Sequence, residues 1–183
     1  MTLPHAARMP IDLVPEWQLG NADEAEIAGL LTRSFGEEFG GRSFFQTRQH
    51  LRLVHRREGR IVGHMALQIR AMRLGGRLIT VAGLGDVATD PDHRGQGIAA
   101  GLLAEAIRVA KASPAEFFLL FGGARLYTAA GFRQVRNEMI YADMLDARSG
   151  TVAREQSESL MVLPLKDAVW DGTAVLDLVG ATF

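Results

Sequence analysis

The run VATDPDHRGQGIAAGLLAEAI, residues 87–107, decides how this chain reads. An apolar, β-like segment breaks at Thr89-Asp90-Pro91 and passes through Arg94-Gly95-Gln96-Gly97. It then becomes a helix-period pattern with Ile98, Leu102, Leu103, Ala106 and Ile107 on one face. A strand that runs straight into a helix leaves the first-turn N–H groups without helical partners. With the positive end of the helix dipole they form an anion site. Glycines at 95 and 97 leave room for a ligand against the backbone, and Arg94 offers a charge-assisted contact to phosphate. Taken alone, such a turn also occurs without any ligand. Two nucleotide motifs are excluded. No lysine follows Gly97 as a P-loop requires, and the dinucleotide pattern G-x-G-x-x-G is not matched.

Outward from this turn the pattern is that of one mixed α/β domain. Upstream, LRLVHR, the turn Arg57-Glu58-Gly59-Arg60, IVGHMALQIRAMRL, the pair Gly75-Gly76 and RLITVAGLGDVAT read as an antiparallel meander. Both central positions of a Gly-Gly hairpin can take positive φ. Before it, Asn21 is placed to cap a helix and Glu24 to reach back to its start, with Ile27, Leu30, Leu31 and Phe35 at helical spacing. Gly36, Gly40 and Gly41 then interrupt the pattern and leave the loop SFGEEFGGRSF. Downstream come a helix from about 97 to 113, the apolar strand EFFLLF, and a short helix from 124 to 130 stopped by Gly131. QVRNEMIYADML, SLMVLPL and AVLDLV supply further strands. Residues 1–14 read as a flexible arm and 15–183 as a single domain.

Composition removes several function classes. A formal net charge of −1 argues against binding nucleic acid by phosphate neutralisation. With no cysteine there is no disulfide, no thiolate metal site and no cysteine acyl-enzyme. No run approaches the ~18 apolar residues a membrane span needs, and the first residues lack a signal-peptide core. The expectation is a soluble, cytoplasmic protein with neither nucleic-acid nor membrane partners.

Arg94-Gly95-Gln96-Gly97-Ile98-Ala99 resembles [Q/R]-x-x-G-x-[G/A], the pyrophosphate-binding motif of the GNAT superfamily of acetyl-CoA-dependent N-acetyltransferases. Ala124-Arg125-Leu126-Tyr127-Thr128-Ala129-Ala130-Gly131-Phe132 resembles that family's A-x-x-[L/F]-Y-x-x-x-G-[F/W] element, in the right order downstream. Phe35-Gly36-Glu37-Glu38-Phe39, Ile61-Val62-Gly63-His64 and Leu160-Met161-Val162-Leu163-Pro164-Leu165 are further similar to the aminoglycoside 2′-N-acetyltransferase branch. Nodulation-factor N-acyltransferases share Gly41-Arg42-Ser43-Phe44 and the late Trp170-Asp171-Gly172.

The resemblance implies a GNAT fold, a mixed and mostly antiparallel twisted sheet flanked by helices. It also implies acetyl-CoA as co-substrate, with no metal, and direct transfer to an amine. Val87, Ala88 and Thr89 would hold the pantetheine arm and polarise the thioester carbonyl through their backbone. Arg94, Gly95, Gln96, Gly97, Ile98 and Ala99 would cradle the pyrophosphate. Tyr127 would protonate the leaving thiolate; a tyrosine on a short helix also serves simply to pack. Asp86 is a candidate base, or a strand-end aspartate paired with an arginine. His64 reads as a core histidine.

For the acceptor, Glu38 and Glu158 are candidate acidic contacts, and Gly85 stands where the aminoglycoside branch tends to carry an acid. Ala181 replaces another acid, leaving the terminal carboxylate of Phe183 to serve. So few acids point to an acceptor less charged than a deoxystreptamine drug, such as the 2′-amine of kasugamycin, whose acetylation would confer resistance. A homodimer is expected of this branch. The alternatives are an acyltransferase using longer donors and a non-catalytic CoA-binding module.

Overall fold

The computed structural model describes residues 9–183. The first strand, β1 (Asp12–Pro15), pairs antiparallel with β2 (Leu51–Arg57). Residues 12–14, expected in the loose arm, are therefore part of the sheet, while residues 1–8 of that arm lie outside the described part.

Helix α1 (Asn21–Phe35) is capped by Gly20 and not by Asn21, and no side chain caps it. Glu24 does not reach back either. Its carboxylate accepts from Ser43 at 3.1 Å and Arg48 at 2.7 Å, which ties α1 to the loop ahead of β2.

The meander forms as expected, from β2, β3 (Arg60–Leu74) and β4 (Arg77–Thr89). Its two turns differ. Glu58 and Gly59 both have positive φ, as a type I′ turn requires; at the glycine pair only Gly75 does, at 59°, the type II′ pattern.

From β4 the chain passes through α2 (Ile98–Ala112) to β5 (Phe117–Phe121), which lies parallel to β4. α3 (Arg125–Ala129) follows. The segment read as one strand after it divides into β6 (Arg133–Gln134) and β7 (Glu138–Ala142). β8 (Val152–Gln156) carries no apolar alternation because it is an edge strand that pairs with β7 alone and stays mostly exposed. β9 (Leu160–Pro164) pairs with β5 and β6. Of AVLDLV only β10 (Leu176–Asp177) is strand, held between β3 and β7.

The described strands form one mixed, mostly antiparallel sheet with the helices on its two faces. Side chains alternate across a strand. Leu53, Val62 and Val87 accordingly pack with Leu102 and Leu103 of α2, while their neighbours Val54, Ile61 and Ala88 pack with Ile27, Leu30 and Leu31 of α1.

The feature that positions the site is a change in β4. Its parallel ladder with β5 runs from Val81–Phe117 to Leu84–Leu120 and stops. One residue later the register against β3 slips, from Ala66–Gly85 to His64–Ala88, with Asp86 at φ 51°. This is a β-bulge; it kinks the strand and re-aims its side chains.

Candidate active site

Where the β4–β5 ladder ends, a cavity of about 660 Å³ opens. Gly85, Asp86 and Val87 of β4 line it, facing Leu120 and Phe121 of β5 and Tyr127 of α3. Glu38, Glu158 and Phe183 reach it from elsewhere in the chain. Seven residues singled out in the sequence thus meet in one place. Ala88 and Thr89 continue β4 from the cavity toward the turn at 94–97. Arg94, Gly95, Gln96, Gly97, Ile98 and Ala99 are not among its walls. Strand, cavity and turn form one continuous track.

At the turn, Gly95 and Gly97 have φ 73° and 76°, with open space where a Cβ would stand. The backbone conformation alone therefore calls for glycine, besides any need to admit a ligand. No side chain caps α2, so its leading N–H groups have no side-chain acceptor. Arg94 is exposed and its Nε donates to the Thr89 carbonyl at 3.4 Å, while Ile98 is buried in the core. Open N–H donors, the helix dipole and a neighbouring guanidinium suit a pyrophosphate.

Tyr127 is buried, with its ring edge-on to Phe132 at 6.2 Å, and it lines the cavity. It both packs and faces the site. Burial pushes its phenol above the ordinary tyrosine range, which keeps it a proton donor near neutral pH.

Asp86 is likewise both things the sequence allowed. Its side chain is 1% exposed and Oδ2 lies 3.6 Å from Nη1 of Arg52. Gln49 donates to the same oxygen at 2.8 Å, and Oδ1 has no hydrogen-bond partner among the described residues. Burial raises the carboxyl to about 6, against the pull of Arg52, Gln49 and the Phe45 N–H.

Sequence reading missed the residues behind Asp86. Arg52, on β2, is fully buried and makes a two-pronged pair with Glu16 at 2.8 and 3.1 Å. It also donates to the Ser43 carbonyl at 2.7 Å and lies 3.5 Å from Nε2 of His64. His64 is the buried core histidine expected. Its Nδ1 donates to the Asp86 carbonyl at 2.7 Å, and burial holds the ring neutral by lowering it to about 3.

Five carboxylates line the cavity: Glu38, Asp86, Asp143, Glu155 and Glu158. Among the described residues no lysine, arginine or histidine does. Asp143 and Glu155 went unnoticed in the sequence, and with them the expectation of a weakly acidic site fails. Aromatic rings also line the wall, among them Phe35, Phe39, Phe45 and Tyr141. Phe183 explains the missing acid at 85. Its ring occupies the space a side chain at Gly83 would need, and its main chain lies 3.2 Å from where a Cβ at Gly85 would be. Arg70 holds that segment in place, donating to the carbonyls of Ala181 and Leu178 at 2.5 and 2.9 Å, with its guanidinium 5.4 Å from the Phe183 ring centre.

Among the described residues no cluster of three or more His, Cys, Asp or Glu is placed to hold a metal ion. No described helix is long and apolar enough to cross a membrane.

Among solved structures with this architecture, one holds CoA and another acetyl-CoA. Escherichia coli YhbS, a GNAT family N-acetyltransferase in complex with CoA, superposes with a TM-score of 0.62 at 20% identity, covering 97% of this chain and 93% of that one. A GNAT family acetyltransferase from Brucella melitensis in complex with acetyl-CoA gives 0.52 at 23% identity, over 69% and 84%. The ribosomal-protein-S18-alanine N-acetyltransferase of E. coli gives 0.52 at 20% identity, over 87% and 97%. At these identities the likeness is one of fold. No curated protein matches the chain. The family model described as an acetyltransferase (GNAT) domain matches residues 18–135, which include the meander, the glycine turn, α2 and Tyr127. The chain belongs to the GNAT acetyltransferase family, whose acetyl-CoA-binding fold it has.

Proposed function

We propose that this acetyltransferase moves the acetyl group of acetyl-CoA directly onto a primary amine of a small polycationic acceptor, an aminoglycoside-type sugar in the first instance. The observation that carries this reading is a cavity lined, among the described residues, by five carboxylates and no cationic side chain, opening beside the end of the β4–β5 ladder. Such walls concentrate ammonium groups and repel anions.

The pyrophosphate of acetyl-CoA would sit on the turn of Arg94 to Ala99. Its pantetheine arm would follow the backbone of Val87, Ala88 and Thr89, leaving the thioester in the cavity. The ammonium proton of the acceptor goes to Asp86. The free amine then attacks the carbonyl carbon, the C–S bond breaks, the departing thiolate takes the Tyr127 proton, and the second amine proton, shed as the amide forms, returns to the Tyr127 oxygen. A carboxyl near 6 is ionised at neutral pH and a buried phenol is not, so each group starts in the state its task requires. Glu38, Asp143, Glu155 and Glu158 would hold the remaining ammonium groups.

Kasugamycin keeps its place in the acceptor set as a primary amine on a sugar, although five acids favour more highly charged members. Acetylation of such an antibiotic would confer resistance. The enzyme would act as a homodimer, as the resemblance implies; light scattering on purified protein reads its mass directly. The test of function is thiol release from acetyl-CoA across aminoglycosides and simpler amines, with mass spectrometry locating the acetyl group. Turnover of polycationic amines above monoamines supports the reading. Turnover restricted to neutral or anionic acceptors, or to long-chain acyl donors, overturns it.

A further inference from the structure

We propose that Arg52, which does not line the cavity, is a positioning residue for Asp86: it holds Oδ2 from behind and fixes the buried carboxylate at the cavity wall. The proposal rests on Asp86 being the base in the reading above.

The geometry is that of a fixed charge placed between two acids. Arg52 is gripped by Glu16 through Nε and Nη2, at 2.8 and 3.1 Å. Its third nitrogen, Nη1, is shared among the Ser43 carbonyl, His64 and Asp86. His64 adds a second hold. With Nδ1 donating to the Asp86 carbonyl and Nε2 toward Arg52, one imidazole ties the bulged peptide to the guanidinium. A neutral ring serves this purpose, because a cationic one would face Arg52 across 3.5 Å.

The groups that face Asp86 come from several elements. His64 belongs to β3, Arg52 to β2, and Gln49 and the Phe45 N–H to the loop before β2. Glu16, from the turn after β1, stands behind Arg52. On the cavity side are Tyr127 and the other four carboxylates. Arg52 and Gln49 favour the carboxylate form, whereas Glu16 opposes it. The proposal therefore predicts opposite signs from neighbouring residues, and a merely structural role does not.

The experiment is the pH profile of kcat/KM for one acceptor at saturating acetyl-CoA, since its acid limb reports the acetyl-CoA-bound enzyme that meets the acceptor. Arg52→Met and Gln49→Leu are expected to move that limb to higher pH, by about one unit for the former. Glu16→Gln is expected to move it to lower pH. Loss of rate with an unmoved limb, or shifts of one common sign, overturns the proposal. Should Arg52→Met fail to fold, Gln49→Leu and Glu16→Gln still carry the opposite signs. Carboxyl carbon NMR of the free protein follows Asp86 without any acceptor, its resonance identified by loss in Asp86→Asn. If no amine turns over, the function proposed above fails while this titration still tests the hold of Arg52. If the resonance shifts and the kinetic limb stays put, Arg52 does not position a base.

Discussion

The two ends of the β4 track are built differently. The turn at 94–99 is a local object: one strand end, two left-handed glycines and an uncapped helix, all within a few residues. The acceptor cavity is assembled from afar. Its acids come from positions 38, 86, 143, 155 and 158, and its rings from the end of α1 to Phe183. Backbone groups dominate the first region and side chains the second. One such fold can therefore hold one co-substrate by its main chain while the acceptor is chosen by residues that differ from chain to chain.

That contrast can be broken in order of effect. Gly97→Glu puts a charge and a Cβ where φ is 76° and where the phosphates would lie. We expect calorimetric CoA binding to be lost altogether; wild-type affinity would remove the turn from the account. Tyr127→Phe keeps the ring against Phe132 and deletes only the proton donor. kcat should fall by about 10²-fold with CoA affinity unchanged, and an unchanged kcat would leave Tyr127 as packing.

Asp86→Asn tests the floor between the two regions through stability. A folded carboxyl raised to about 6, above its ordinary 3.8, favours the protonated native state. Its contribution is present at low pH and is lost as pH rises from about 4 through 6. Asparagine has no such loss, so the stability of the variant relative to wild type should grow by about 2.5 kcal/mol between pH 4 and 7.5. Urea unfolding at the two pH values measures it, and a constant difference would contradict the burial of a charge. The smallest effect belongs to the rim. Asp143→Asn with Glu155→Gln should raise KM for a polycationic acceptor about tenfold with kcat nearly held, a loss of about 1.4 kcal/mol of uniform binding. A matching drop in kcat would place these acids in the chemistry instead.

The same contrast explains what could be read from the sequence. The glycine turn, the meander and the Tyr127 element are short and contiguous, and their backbone demands are written in glycines and apolar periods. Asp143 follows a strand and Glu155 sits on a polar edge strand, so neither carries a pattern that sets it apart from solvated acids. Arg52 lies in LRLVHR, which reads as a strand but gives no sign that a guanidinium is buried there. Its partner Glu16 is 36 residues away. Gly85 was legible as an anomaly, and its cause lay at the other end of the chain, where Phe183 fills the space. Asn21 and Glu24 have the residue types of a helix cap, but tertiary partners claimed Glu24 and Gly20 took the cap.

The most direct test is thiol release from acetyl-CoA by the purified protein with a series of amines graded by charge at constant size. The account predicts kcat/KM rising with the number of ammonium groups, with the acetyl group found by mass spectrometry on a primary amine. A flat series, or thiol release with no acetylated amine, would contradict it.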